Sequence, residues 1–369
     1  VFGISPIEGG EEIIQIEEII SRYFNISDYY VSDNVLIFKV NPKNLLKEDF
    51  IKLYNEIKRL GYLPLLNKEF EEYEIHIVRY RPREKKKSNK PLLLFLATLG
   101  TVSVDGYLRS INPYLKYTLP NYDPILMTIF FTVAIMSIIG IHELGHKIAL
   151  GIHNIKASWP HFIPGIPGIF PTFGAVITQD EIPPNRDKLF DTGISGPITG
   201  LVASLIVAVF AVLNAPIVPL DELEALRLRL GGELVEFPIP ILYYILQEAL
   251  RPVKPGYVIL IDPLTWAAIV GFLITALNIF PAWQLDGGHL ARAVLGPRQH
   301  RIATLISILI LFWVGYFFMA LFILLMYTLS GGMTVRPLDD VSEVSRSRKI
   351  LFVITWILAI ICLPFPQFP

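Results

Sequence analysis

Two histidines four residues apart, His142 and His146, flank a glutamate, Glu143, in the run Ile-Gly-Ile-His-Glu-Leu-Gly-His-Lys. On a helix, positions i and i+4 share a face, about 40° apart around the axis. Two imidazole nitrogens placed this way can converge on a single Zn2+ at about 2.0–2.1 Å. Glu143 sits next to the first histidine, where it reaches a water at the metal rather than the metal itself. This is the HExxH arrangement of metalloproteases. So short a pattern also arises by chance, and its surroundings sharpen it. It stands inside an apolar stretch where ionisable groups are costly and signal a cavity or a metal. A helix end at a membrane surface, with Lys147 following, would explain the charges but not their spacing.

A catalytic zinc needs a third protein ligand and one open position for water. The acidic residues near apolar segments are Asp105, Asp191, Asp262 and Asp286. Asp286 stands out by its setting, in the stretch from Asn278 through Pro281 to Gly287, Gly288 and His289. Pro281 ends or distorts the preceding apolar span, and the two glycines let the chain turn closely beneath a metal. An Asp-Gly pair is also a common plain turn.

The HELGH run together with the pattern NxxPxxxLDGG (Asn278 to Gly288) resembles the site-2 protease family of intramembrane metalloproteases. The resemblance extends to Pro171–Ile177 and to Phe190–Pro197, covers roughly residues 91–330, and is nearest the archaeal and plastid branch with a soluble domain ahead of the membrane core. It implies His142, His146 and Asp286 as ligands of one Zn2+ per chain, and Glu143 as the catalytic acid/base. It also implies that Asn278 contacts the substrate or the oxyanion. Ala282, Trp283 and Gln284 depart from the smaller or proline-rich stretch of many relatives, which bears on the shape of the substrate entry. Zinc chemistry then predicts that Glu143 takes a proton from a water made acidic by the metal and returns it to the leaving amine.

These residues need elements to hold them. Of 369 residues, 53% are hydrophobic and 18% charged, with a mean hydropathy of +0.50, too apolar for soluble domains of this length. The net charge of −1 offers nothing to nucleic acid, and the single Cys362 excludes an intramolecular disulfide and a cysteine-rich metal site. No signal peptide is predicted. Residues 1–80 read as a small soluble α/β domain. Ile13, Ile16, Ile20 and Phe24, then Phe50, Leu53, Ile57 and Leu60, recur at helical spacing, and Val35–Val40 and Tyr73–Val78 carry strand-forming residues. The expected order is α-β-β-α-β-β. Residues 81–90 form a linker within a run that holds seven basic residues from Arg79 to Lys90 against Glu84 alone. Residues 91–369 form the membrane-embedded core.

The expected architecture is therefore a mainly α, polytopic bundle of about six transmembrane helices with an N-terminal α/β domain. Candidate spans are 91–108, 124–149, 192–213, 258–280, 302–329 and 350–364, each measured against the ~20 apolar residues a crossing needs. The fifth is long enough to break near Gly315. Residues 155–184 and 231–256 read as loops or re-entrant segments. The basic linker places the N-terminal domain and the active-site side in the cytoplasm. Arg186, Lys188, Arg292, Arg298 and Arg301 agree with that placement. With an unbroken fifth span, Arg336, Arg346, Arg348 and Lys349 fall on the opposite side; a hairpin at Gly315 returns them.

The substrate implied is a membrane-anchored protein whose transmembrane helix unwinds in the bilayer to expose a carbonyl. The segment Thr172–Thr178 reads as a strand able to pair with it by strand addition, or as a shielding loop. His153, His161 and His300 lack ligand spacing and read as interfacial. Gly196, Pro197 and Gly200 read as helix-packing positions. Two rivals stand beside this reading. A membrane zinc peptidase of the prenyl-protein-processing type would draw its third ligand from Glu233, Glu236 or Glu248. A non-catalytic transporter or scaffold would not need Glu143.

Overall fold

The computed structural model describes residues 10–33, 35–80, 88–231 and 233–364. Most of the basic linker, 81–87, lies outside them.

The chain opens with α1 (Gly10–Tyr23), β1 (Phe24–Ser32), β2 (Val35–Pro42), α2 (Leu46–Arg59), β3 (Tyr62–Glu69) and β4 (Glu72–Arg79), in the order the sequence predicts. The strands form one antiparallel sheet in the order β1-β2-β4-β3. Helical periodicity places Ile16 and Ile20 of α1 and Phe50, Leu53 and Ile57 of α2 on one shared core with Phe38, Leu66 and Ile75 of the sheet. Each such side chain, fully buried, contributes about 1.5–3 kcal/mol.

The remaining chain is mainly helical: α3 (Lys90–Ser110), α4 (Pro113–Thr118), α5 (Pro124–Ile152), β5 (His161–Ile166), β6 (Phe170–Val176), α6 (Arg186–Asn214), β7 (Ile217–Pro219), α7 (Leu220–Leu230), α8 (Ile241–Leu250), β8 (Tyr257–Ile259), α9 (Pro263–Ile279), α10 (Asp286–Leu295), α11 (Pro297–Trp313), α12 (Phe317–Leu329) and α13 (Arg346–Cys362). Proline opens α3, α5, α9 and α11, where its missing N–H leaves no bond unmade. Asp123, Asn185 and Asp262 cap α5, α6 and α9 through their side chains. Among the described residues α3, α5 and α6 are long and apolar enough to cross a membrane, while α8, α9 and α12 are apolar but shorter.

Helices in lipid gain little from the hydrophobic effect and pack through small residues instead. Ala203, Ala208 and Ala211 of α6 and Ala267, Ala268 and Ala276 of α9 are buried accordingly. At Gly271 a Cβ would come within 2.5 Å of Ser204 Oγ, so α6 and α9 meet almost backbone to backbone.

The stretch 302–329 breaks where the sequence allows. Gly315 takes a φ of +95° between α11 and α12. Trp283 ties the far ends of both helices together: its backbone N–H donates to Thr304 on α11 (3.0 Å) and its indole N–H to Ser330 after α12 (3.0 Å). The two therefore fold back on each other. As a result, the segment after α12 returns to the N-terminal sheet, where the Leu66 N–H bonds to the Leu338 carbonyl at 2.9 Å. Arg336 bonds to Asn67, and Arg348 pairs with Asp187 and Asp191 at the start of α6. These arginines stand on the side of the N-terminal sheet, as the hairpin reading requires.

Residues 155–184, expected as loop or re-entrant chain, hold an ordered hairpin. β5 and β6 pair antiparallel with an irregularity between Phe162 and Pro164. The N-terminal layer grips its root: Lys58 donates to Glu181 (2.8 Å) and to the Asn154 carbonyl (3.3 Å), and Tyr80 donates to Glu181 (3.0 Å).

Candidate metal centre

α5 carries His142 and His146 one turn apart, and both face α6 and the start of α10. The two Nε2 atoms lie 3.2 Å apart. Asp286, the first residue of α10, sets one carboxylate oxygen 3.1 Å from His142 Nε2 and the other 3.2 Å from His146 Nε2. This is the group among the described residues whose ligand atoms converge closely enough for a metal ion. A tetrahedral cation with donors at about 2.0–2.1 Å would space them about 3.3–3.4 Å apart. The 3.2 Å between the two imidazole nitrogens is close to that figure, Asp286 brings one oxygen to each of them, and a donor set of two imidazoles and a carboxylate suits zinc.

Local structure explains why these atoms point inward. His146 Nδ1 donates to the Thr192 carbonyl at 2.7 Å, which fixes the ring and leaves the Nε2 lone pair toward Asp286. α6 presents bare backbone to both rings. A Cβ on Gly196 would lie 2.1 Å from His146 Nε2, and one on Gly200 would lie 2.9 Å from His142 Nδ1. These glycines do pack helices closely, as expected, and what they pack against is the imidazole pair.

Asp286 is delivered by a tight turn. α9 ends at Ile279, and a Cβ on Gly287 would lie 1.8 Å from the Ile279 carbonyl oxygen. No other residue could follow Asp286 without moving the chain. The departure at Ala282–Gln284 also gains a role here, since Trp283 anchors the α11–α12 hairpin beside this turn.

Glu143 is buried beside His142 and forms no hydrogen bond or ion pair among the described residues. Asn278 is half-buried near the end of α9 and its side chain makes no hydrogen bond among them. The structure thus brings four of the five candidates together, and Asn278 stands near the end of α9, outside the group. The competing aspartates are occupied elsewhere. Asp105 pairs with Arg109, Asp191 with Arg348 and His153, and Asp262 caps α9 by accepting the Thr265 N–H at 2.7 Å. Glu233, Glu236 and Glu248 are exposed and outside the cluster. Among the other histidines, His300 is not interfacial but fully buried in α11. Thr192 was not foreseen as the partner of His146, because a backbone carbonyl contact leaves no mark on residue type.

The fold and this centre define a membrane-embedded protein whose HExxH helix meets an aspartate distant in the sequence, in a group that could hold a metal ion. A family model, peptidase family M50, matches residues 130–322. The chain belongs to this family, and zinc is its cofactor. Among named relatives, "Probable zinc metalloprotease EGY2, chloroplastic" of Oryza sativa subsp. indica is 25% identical over 353 residues, covering 90% of this chain and 62% of that protein. "Probable zinc metalloprotease EGY1, chloroplastic" of Arabidopsis thaliana is 28% identical over 310 residues, covering 74% of this chain and 52% of that protein. The chain thus spans between about half and three-fifths of these relatives' length. No solved structure matches it.

Proposed function

We propose that the protein is an intramembrane zinc metalloprotease that hydrolyses peptide bonds within or near the transmembrane segments of membrane-anchored substrates. The observation that carries this reading is the trio of His142, His146 and Asp286 at 3.1–3.2 Å spacing on an apolar helix long enough to span a bilayer. These three residues hold the zinc. When bound, it acidifies a neighbouring water and polarises the scissile carbonyl. Glu143, unpaired and one residue from His142, takes the proton of that water and passes it to the leaving amine. Asn278, near the end of α9 ahead of the turn to Asp286, contacts the substrate or its developing oxyanion in this reading.

A substrate helix must unwind before its carbonyl can be attacked. β6 belongs to a two-stranded sheet, and its edge away from β5 has no strand partner among the described residues. Ala175 of β6 packs against the buried cluster that includes Phe131, Ile135 and Ile139 of α5, the helix that carries His142. An extended substrate adding to this edge would lie alongside the metal helix. Crosslinking from Ala175 tests this pairing; a substrate that is cleaved yet never captured there would refute it.

In the same reading, residues 1–80 form a soluble domain, 81–90 a basic linker and 91–369 the membrane core. α3, α5, α6, α9 and α13 cross the bilayer, and the α11–α12 hairpin enters and leaves on one side as two short crossings. The N-terminal domain and the loop carrying Arg336 share the cytoplasmic side, following the basic residues.

The first test is zinc per chain in the purified full-length protein, wild type against Asp286→Ala, with Glu143→Gln alongside. About one zinc is expected in wild type and Glu143→Gln and little in Asp286→Ala. Zinc retained undiminished in Asp286→Ala would move the third ligand elsewhere and sink the site assignment.

A further inference from the structure

Asp105 is the one acidic residue within α3, 15 positions after Lys90 and so roughly 22 Å along the helix. It is fully buried. Arg109 donates to it through Nε at 2.7 Å and Nη2 at 3.3 Å, and the Arg109 guanidinium lies 4.4 Å from the ring centre of Trp266 on α9. The carboxylate has a further partner. The Gly168 N–H, in the turn between β5 and β6, donates to Asp105 Oδ1 at 2.6 Å. One helical turn earlier, Thr101 Oγ1 donates to the Pro171 carbonyl (3.1 Å) and accepts the Gly165 N–H (3.4 Å). The same face of α3 therefore grips the hairpin at its turn and at the start of β6.

Holding α3 against α9 does not call for a charge; an apolar pair would do it without desolvating an ion pair. What a carboxylate does, and an apolar residue cannot, is accept the backbone N–H of Gly168 from a turn whose outer residues are exposed, giving that N–H a partner within the protein. Gly168 has a φ of +86°, a conformation that points this N–H outward at no steric cost.

We propose that Asp105 is a positioning residue for peptide-bond hydrolysis: it pins the hairpin turn so that β6 holds its open edge alongside α5. This rests on the reading that β6 receives the substrate strand. Arg109 orients the carboxylate through its two N–H donors, and the N-terminal layer holds the other end of the hairpin through Glu181.

The test uses the full chain in lipid nanodiscs, comparing wild type, Asp105→Ala, Asp105→Asn and Gly168→Ala. Three quantities are measured: zinc content, hydrogen exchange across residues 161–176, and cleavage of a fluorogenic peptide with an apolar stretch of about 20 residues. Asp105→Ala is expected to keep its zinc, to speed exchange in the hairpin about tenfold, and to raise KM about tenfold with kcat within about threefold. Asp105→Asn retains an acceptor for the Gly168 N–H and is expected to recover most of KM. Gly168→Ala strains the turn without touching α3; it is expected to reproduce Asp105→Ala, and it decides the matter if that variant fails to fold.

Unchanged hairpin exchange in both Asp105→Ala and Gly168→Ala would overturn the pin and leave strand pairing standing. Faster exchange with unmoved KM would overturn strand pairing, and the proposal with it. Asn behaving like Ala in exchange and KM would assign the effect to the ion pair with Arg109 and refute the role given to Asp105.

Discussion

Two elements lean on α5, and they are held against it by opposite means. α6 meets the helix through missing side chains: Gly196 and Gly200 let its backbone touch the rings of His146 and His142. The β5–β6 hairpin is held by polar groups at its ends, Asp105 and Thr101 at the turn and Glu181 at the root, while β6 keeps one edge without a strand partner. The difference follows from what each wall must do. A metal site tolerates displacements of a few tenths of an ångström, and only contact packing holds atoms that tightly. In the reading proposed above, β6 accepts another chain and needs the backbone groups of its outer edge free, so the polar anchors sit at the hairpin's ends.

The comparison can be broken first at the ligands. Asp286→Ala is expected to lower zinc affinity by at least about 100-fold, read by metal titration, because it leaves two imidazoles where three donors converged. Glu143→Gln should keep the metal and lose about 10²–10⁴-fold in peptide cleavage, since it removes only the proton carrier.

A smaller effect is expected at the packing contact. Gly196→Ala places a methyl group 2.1 Å from His146 Nε2 and should weaken zinc binding by about 10–100-fold. Gly140→Ala is the matched control on α5. Its Cβ would meet nothing within 4 Å, so it should leave zinc untouched and stabilise the helix by up to about 1 kcal/mol, read by thermal unfolding. Equal effects of the two alanines would remove the argument that α6 is shaped by the ligands.

The hairpin root should respond least. Glu181 accepts from Lys58, Tyr80 and the Lys156 N–H, so Glu181→Gln is expected to cost about 1–3 kcal/mol of local stability. Hydrogen exchange at residues 156–181 should detect it, with zinc content unchanged. Loss of zinc in this variant would mean that the hairpin and the metal wall form one cooperative unit rather than two.

Much of this was legible in the residues. The order of the N-terminal elements follows from periodicity, since Ile16, Ile20, Phe50, Leu53 and Ile57 enter one core as their spacing requires. Less legible was the stretch 155–184: residues 172–178 read as a strand, as β6 is, but its glycines and prolines masked the partner strand and the hydrogen bonds to α3 that hold the hairpin in place. His300 read as interfacial for want of ligand spacing, and nothing in its neighbours' types reveals that α11 buries it.

The sequence by itself determined the paired imidazoles and the glutamate between them, because the relation of i to i+4 is a property of one helix and survives any packing. It also determined that Gly287 and Gly288 could turn the chain sharply. The setting of Asp286 and the resemblance singled it out among the aspartates, but only the tertiary structure shows it standing beside those imidazoles. Four were available in apolar surroundings, and an aspartate's partner is set by what other helices bring near it. Arg109, Arg348 with His153, and the N-terminus of α9 engage Asp105, Asp191 and Asp262, and Asp286 alone is carried to His142 and His146. The fold-back at Gly315 was decided the same way, since a glycine permits a turn and the bonds of Trp283 to both helices select it.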